Sequence, residues 1–418
     1  MTELYLPNRV RHVKVYSGAD YAGRLTKEAR HSFVYHDPDA PVISLTMATN
    51  KSESYNYGDL HPIFRQNLPE GYIRRYITER LSRHSKDIYL DDIYLLALQQ
   101  ENGIGQLSYE SKIVLPEVEA VSLSDILGWQ GKELLFPQLL EKYYLRGMLS
   151  GVQPKVAIEV GDRTLPQKEY IVKAFDEEFP QLTVNEFVCM KAADHCGLNP
   201  PAVYLSDNQE TFVIERFDVG EEPMGFEDFT TLMKRKDDPN AKYEGSYEAL
   251  LRAVSIFTGS AEELKRAYQY IAFNCLIGNG DAHLKNFALQ YSQDLSNIRM
   301  SPIYDVTHTC IYGGANTELA LKIAKSRQFP DKAALVKLAN QTGLEISNPH
   351  ELLDDLADGI VESVRGSEEA KLFKGLTESI EKSVMQGMGV DYNPKGYRHQ
   401  KRKKFKQLEE DAKDLGIS

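Results

Sequence analysis

Apolar and polar positions alternate over Val13-Lys14-Val15-Tyr16 and again over Ala22-Gly23-Arg24-Leu25, and this period of two predicts a β-hairpin. His31-Ser32-Phe33-Val34-Tyr35 and Val42-Ile43-Ser44-Leu45-Thr46-Met47 predict a third and a fourth strand by the same alternation and β-branching. From Leu60 to Arg83 the apolar residues recur at helical intervals, broken by the helix-ending turn Asn67-Leu68-Pro69-Glu70-Gly71-Tyr72. Asp91 to Gln100 reads as a short helix, and Gly103 to Tyr109 as a turn into a strand. Val114 to Asp125, with Pro116 and mixed polarity, reads as a linker, whereas Trp129 to Leu149 shows no clear period.

The middle of the chain returns to strands: Val156 to Val160, then Glu169-Tyr170-Ile171-Val172-Lys173-Ala174-Phe175. A helix follows over Thr183 to Cys196, its apolar stripe running through 184, 187, 188, 192 and 196, with Gly197 at the C′ position. Ala202 to Leu205 and Thr211 to Asp218 predict a second hairpin. Beyond Gly245 the spacing is helical over Tyr247 to Ile256, Ala261 to Leu276, Asp331 to Thr342, His350 to Val364 and Glu368 to Met385.

At 418 residues the chain has room for two or three lobes, and 42% hydrophobic with 26% charged residues is the balance of a soluble globular protein. A formal net charge of -12 argues against general binding to nucleic acid or membrane, since most of the surface would repel phosphates. Met1 to Val15 carries charges and no apolar core of a secretory leader, and no apolar run reaches membrane-spanning length. Cys189, Cys196, Cys275 and Cys310 form no Cys-x-x-Cys pair, which predicts reduced thiols and a cytoplasmic location. Against the acidic trend, Pro394 to Lys406 is dense in Lys and Arg; such a run is usually a solvated helix face, the other reading being a patch for nucleic acid or an acidic partner.

The chemistry concentrates in Gly278-Asn279-Gly280-Asp281-Ala282-His283-Leu284-Lys285-Asn286, gripped by apolar runs on both sides, and in Ser301-Pro302-Ile303-Tyr304-Asp305. An Asp, an Asn five positions on and a second turn-borne Asp form a phosphoryl-transfer layout: one carboxylate takes the proton of the attacking hydroxyl, while the amide oxygen and the other carboxylate hold magnesium. Taken alone, Asn279 to Asp281 is equally a turn and Asn286 a cap. Gly147 to Lys155 lacks the spacing of a Walker loop, and is either a glycine-bearing turn folded over phosphates or a plain hairpin turn. Lys173 in its apolar strand needs a partner for its ammonium. Glu186 reads as that partner or as the N3 member of a capping box with Thr183, the capping role having somewhat greater weight and the two being compatible. Glu215 and Phe217 sit where a hinge would hold an adenine ring, or where an edge strand ends in charges.

Six segments in order resemble the HipA family of bacterial toxin–antitoxin serine/threonine kinases: Ser150-Gly151-Val152-Gln153-Pro154-Lys155, Tyr170 to Lys173, Asn185-Glu186-Phe187, Val213 to Asp218, Gly280 to Phe287 and Pro302 to Asp305. Ala22 to Leu25, Ile43 to Met47 and Asn67 to Glu70 resemble that family's accessory subdomain. The resemblance implies an α+β, two-lobed kinase-like fold: an N-terminal mixed α/β accessory subdomain over 1–110, a kinase N-lobe over 111–220 and a helical C-lobe over 221–418. It implies ATP and Mg²⁺ as cofactors, Asp281 as catalytic base, Asn286 and Asp305 as metal ligands and Lys173 on the α/β-phosphates. Ser150 to Lys155 would cover the phosphates, Glu215 to Phe217 would form the adenine hinge, and His283 with Lys285 would add nucleotide contacts. The implied substrate is an aminoacyl-tRNA synthetase with its tRNA, the glutamyl enzyme first, whose phosphorylation stalls translation and promotes dormancy. A DNA-binding helix-turn-helix antitoxin (HipB-like) would restrain the kinase and bring it to operator DNA indirectly; the other reading is a catalytically weak co-repressor. Met148 stands where members of the family commonly carry the self-phosphorylated serine, so the resemblance implies that self-phosphorylation either moves to Ser150, the favoured reading, or is lost.

Overall fold

The structure is a computed structural model that describes residues 3–49, 54–57, 59–145, 155–160, 168–174, 179–219, 224–341, 346 and 348–390. Its first unit is a five-stranded antiparallel sheet in the order β4-β3-β2-β1-β5, built from β1 (His12–Ser17), β2 (Asp20–Lys27), β3 (His31–Tyr35), β4 (Tyr55–Tyr57) and β5 (Leu107–Glu110). Val13, Val15 and Ser17 of β1 point inward, as the alternation requires. Helices α1 (Pro62–Arg65), α2 (Gly71–His84) and α3 (Asp92–Gln99) belong to the same core. In α2 the buried stripe is Ile73, Ile77 and Leu81, spaced by four. Burying each such side chain contributes roughly 1.5–3 kcal/mol. The Asp91 carboxylate accepts the Tyr94 N–H (3.0 Å) and fixes the start of α3.

Two expectations fail here, each for a physical reason. Val42 to Met47 is not a strand, and the fourth strand is β4. The segment instead docks onto a distant part of the chain: Ser44 Oγ (2.9 Å) and the Leu45 N–H (2.6 Å) donate to the Glu227 carboxylate, and Tyr291 OH donates to the Ile43 carbonyl (3.1 Å). Its apolar alternation records a docking surface. Val114 to Asp125 is not a free linker either, because Val114 pairs with Tyr5 and Leu115 is buried. Helices α4 (Leu123–Leu127) and α5 (Leu135–Tyr143) continue the same core.

Glu227 is fully buried, and burial raises its pKa to about 7 despite the donors from Leu45, Ser44 and Tyr291. The folded carboxyl therefore holds a proton that the unfolded one has lost, so stability declines as pH rises from the ordinary carboxylate range toward 7. Glu227→Gln should flatten that decline by a few kcal/mol, because each tenfold change in proton affinity is worth about 1.4 kcal/mol. Urea midpoints at pH 5 and pH 7.5 for both proteins check it; parallel pH profiles would contradict it.

The second sheet runs β6-β7-β9-β8, antiparallel throughout, from β6 (Lys155–Val160), β7 (Lys168–Ala174), β8 (Val203–Leu205) and β9 (Thr211–Glu215), with α6 (Leu182–His195) between β7 and β8. Its two faces serve different cores. Tyr170, Val172 and Val213 join the first unit's core, while Phe212 and Ile214 join a second core with α6. The capping box expected at the start of α6 does not form: Thr183 Oγ1 donates to the Gln209 carbonyl (2.6 Å), and Glu186 is bonded to Lys173. A charge-assisted bond to a buried ammonium outweighs one orphan N–H.

The rest is a helical lobe with a small antiparallel sheet, ordered β10-β11-β12, of β10 (Gly225–Asp228), β11 (Ala288–Tyr291) and β12 (Ile298–Met300). Its helices are α7 (Phe229–Leu232), α8 (Tyr247–Thr258), α9 (Ala261–Ile277), α10 (Lys332–Gln341), α11 (Pro349–Gly366) and α12 (Leu376–Gly387). The helix expected over Glu368 to Met385 is split into a short 3-10 turn, Glu369–Lys371, and α12, because Gly375 takes φ +88° between them. α9 is buried along most of its length and anchors the second core. The whole is α+β, with the two larger sheets in the N-terminal half and a mostly helical C-terminal half. Among the described residues no helix is long and apolar enough to cross a membrane, and the four cysteines are free thiols.

Candidate active site

The buried helix α9 delivers the catalytic-loop candidate. Gly278 turns the chain at φ +80°, and a Cβ there would lie 2.8 Å from His308 Nδ1, so both the backbone and the space call for glycine. The loop then satisfies itself. Asn279 Nδ2 donates to Asn274 Oδ1 (2.7 Å), Asn279 Oδ1 accepts the Asp281 N–H (3.0 Å), and Thr309 Oγ1 accepts the Gly280 N–H (2.7 Å). Asn286 Oδ1 accepts the His283 N–H (2.9 Å). The turn and cap expected as the bland alternative are thus real, and they fix the two polar side chains in place.

Asp305 carries φ +59°, a left-handed backbone that an Asp tolerates better than most residues and that marks a held position. Its Oδ1 meets Lys173 Nζ at 2.5 Å and its Oδ2 accepts from Asn286 Nδ2 at 2.8 Å. Lys173 also bonds Glu186 of α6. Burial disfavours the ammonium, yet Asp305 and Glu186 outweigh it and the Lys173 pKa ends above its ordinary value. Asp281 lies in the same cavity, its Oδ1 accepting from Tyr243 OH at 3.0 Å. Asp281 is exposed as a residue, yet the protein atoms crowded around its carboxyl desolvate it and raise its pKa; Asp305 adds to the rise, while Lys242 and the Tyr243 bond oppose it.

The cavity, about 210 Å³, lies between the second sheet, the first unit's Gln66, Glu70 and Ile104, and the helical lobe. Ile104, Ile171 and Ile214 line its apolar side together with Phe217, Phe226 and Tyr304, whose rings lie 5.5–6.2 Å apart. Both hinge candidates line it, with some backbone groups already engaged: the Glu215 N–H donates to the Ala202 carbonyl (2.9 Å), and the Phe217 carbonyl accepts from Gln290 (3.0 Å). Arg216 forks onto Asp218 (2.7 and 3.0 Å) and reaches the Gly103 carbonyl (3.2 Å), while Asp218 accepts the Gly105 N–H (2.8 Å). Lys285 is salt-bridged to Glu70 of the first unit at 2.6 Å. His283 is buried, burial keeps its imidazole neutral, and its Nδ1 has no hydrogen-bond partner among the described residues. An orphaned polar atom at a cavity wall is what a ligand would satisfy.

Of the expected site residues, Lys173, Glu215, Phe217, Asp281, His283, Lys285 and Asp305 line this one cavity, and Asn286 and Glu186 touch it through Asp305 and Lys173. Ser150, Gly151, Val152, Gln153 and Pro154 lie outside the described residues, as do Met148 and the basic tail; of Lys155 only the strand backbone is described. A family model for the HipA-like C-terminal domain matches residues 147–364, more than half of the chain, and one for the HipA N-terminal domain matches 13–110. The chain belongs to the HipA family. Two relatives from Sinorhizobium fredii carry the names "Putative kinase Y4dM" (26% identical, 80% of this chain, 84% of the relative) and "Putative kinase Y4mE" (27% identical, 85% and 91%). The fold matches HipA of the Shewanella oneidensis MR-1 toxin–antitoxin system, solved with HipB and its operator DNA, at TM-score 0.64 and 20% identity over 90% of this chain and 98% of that one. In this HipA-family chain sequence reasoning missed Glu70, Lys242 and Tyr304 as cavity residues, and Tyr243 as the hydroxyl that donates to Asp281. Lys242 and Tyr243 sit in a polar run without period, so the sequence carries no signal for them; Tyr304 adjoins Asp305, whose carboxylate alone gave that motif its meaning.

Proposed function

We propose that this chain transfers the γ-phosphoryl group of ATP to a serine or threonine hydroxyl of a protein. The observation that carries the reading is the convergence of Lys173, Asp281, Asn286 and Asp305 on one cavity with an aromatic wall. Adenine would stack at Phe217 and Tyr304, and Lys173 would hold the α/β-phosphates once Asp305 turns to the metal. The donor set fits magnesium: Asn286 and Asp305 offer hard oxygen atoms, and no group of three acidic, His or Cys ligands exists among the described residues, so phosphate and water oxygens would complete the shell. Bound there, magnesium would neutralise charge on the phosphates. In the transfer the acceptor oxygen bonds to the γ-phosphorus as the bond to the departing ADP oxygen breaks, and the hydroxyl proton passes to Asp281. Asp305→Asn should weaken magnesium-dependent ATP binding about tenfold; titrating Mg²⁺ against nucleotide affinity checks this, and an unchanged Mg²⁺ dependence would contradict it.

Membership of the HipA family supports a HipB-like helix-turn-helix antitoxin as partner and an aminoacyl-tRNA synthetase as substrate. The test is transfer from labelled ATP to purified synthetases with their tRNAs. Label on one of them names the target; no label on any, with ATP still bound, favours another protein substrate or the co-repressor role.

A further inference from the structure

Three lysines line the cavity, and two of their ammonium groups are engaged by protein carboxylates: Lys173 by Glu186 and Asp305, Lys285 by Glu70. The third, Lys242, makes no hydrogen bond and no ion pair among the described residues. Its position is nevertheless fixed. Ala241–Tyr243 is a 3-10 turn with Ala241 buried, Arg327 donates to the Tyr243 carbonyl at 2.9 Å, and the Tyr243 ring packs edge-on against His283 at 5.3 Å. Lys242 Nζ sits 4.9 Å from the centre of the Tyr243 ring, whose hydroxyl is on Asp281. Burial lowers the Lys242 pKa, the Asp281 carboxylate opposes that, and Lys285 reinforces it. A half-buried ammonium short of protein partners, within the fields of the proposed base and of Asp305, is suited to receive an anion.

We infer that Lys242 is the cation that receives the γ-phosphate of the bound nucleotide, neutralising the charge that spreads over its oxygens as the group moves toward the acceptor beside Asp281. The inference rests on the reading of the cavity as an ATP site. It places a positive charge, supplied by the chain itself, within the field of Asp281 and separate from Lys173, whose ammonium is held by Glu186 and Asp305.

The γ-phosphate is the only group that distinguishes ATP from ADP, so the test compares the two. Calorimetry on the whole chain with Mg²⁺ measures affinity for ADP and for the imido analogue of ATP, in wild type, Lys242→Met and Lys242→Arg. Loss of a charge-assisted contact should weaken the analogue roughly tenfold or more in Lys242→Met, leave ADP within about twofold, and be largely restored in Lys242→Arg. Equal weakening of both nucleotides, or of neither, would overturn the role of Lys242 while leaving the ATP site standing. A wild type that binds neither nucleotide would overturn the ATP site and this inference with it. Should Lys242→Met fail to fold, Lys242→Gln is scored by the same ratio.

Discussion

Asp281→Asn should cut phosphoryl transfer about a thousandfold while changing nucleotide affinity little, since a positioned general base contributes about 10²–10⁴-fold. The amide keeps the shape of the carboxylate and can still accept from Tyr243, so the loop set by Asn279 and Thr309 should not move. What it loses is the ability to take the acceptor's proton. Because the protein atoms around the Asp281 carboxyl desolvate it, with Asp305 adding to the effect, its pKa is raised, and the acid limb of the wild-type rate profile should lie above the ordinary carboxylate range. The rate falls as pH drops through that limb, where the base gains its proton, and the limb should vanish in the variant. Transfer from labelled ATP across pH measures both effects, and a variant rate within tenfold of wild type would remove Asp281 from the role.

The second large effect is on stability. The Lys173 and Glu186 side chains are 7% and 2% exposed, so Lys173→Met takes the cation away from a carboxylate that has little access to water. Removing one partner of a buried pair typically costs about 3–5 kcal/mol. Met occupies much of the same volume, which confines the loss to charge. Lys173→Met/Glu186→Gln should recover most of the stability and none of the activity, because the phosphate contact stays absent. Urea unfolding of the single and double variants measures it; a single variant as stable as wild type would mean that the pair contributes nothing net.

Much of the architecture was legible because it rests on local rules. The hairpin of β1 and β2, the strand holding Lys173, helices α8 and α9 and the turn at Gly278 all follow from period, caps and glycine. The helix expected over Glu368 to Met385 failed locally, at Gly375, whereas two other failures share a cause in a partner outside the segment. Val42 to Met47 was drawn away from a sheet by Glu227, and Glu186 away from its cap by Lys173. β10 and β12 are short, and their pairing through β11 gives no periodic signal of its own. Asp281 and Asp305, singled out by their chemical spacing, line one cavity, and Asn286 bonds Asp305 there. Lys242 and Tyr243 come from a 3-10 turn whose place at the cavity depends on Arg327.

The Arg216 and Asp218 fork has a mechanical consequence. By gripping Gly103 and Gly105 it fastens the proposed adenine hinge directly to the first unit, which acts as a splint along the back of the hinge. A lobe braced in this way cannot rock freely about 215–218. A protein that grasps the first unit therefore has a lever on the nucleotide pocket that needs no contact with the pocket itself.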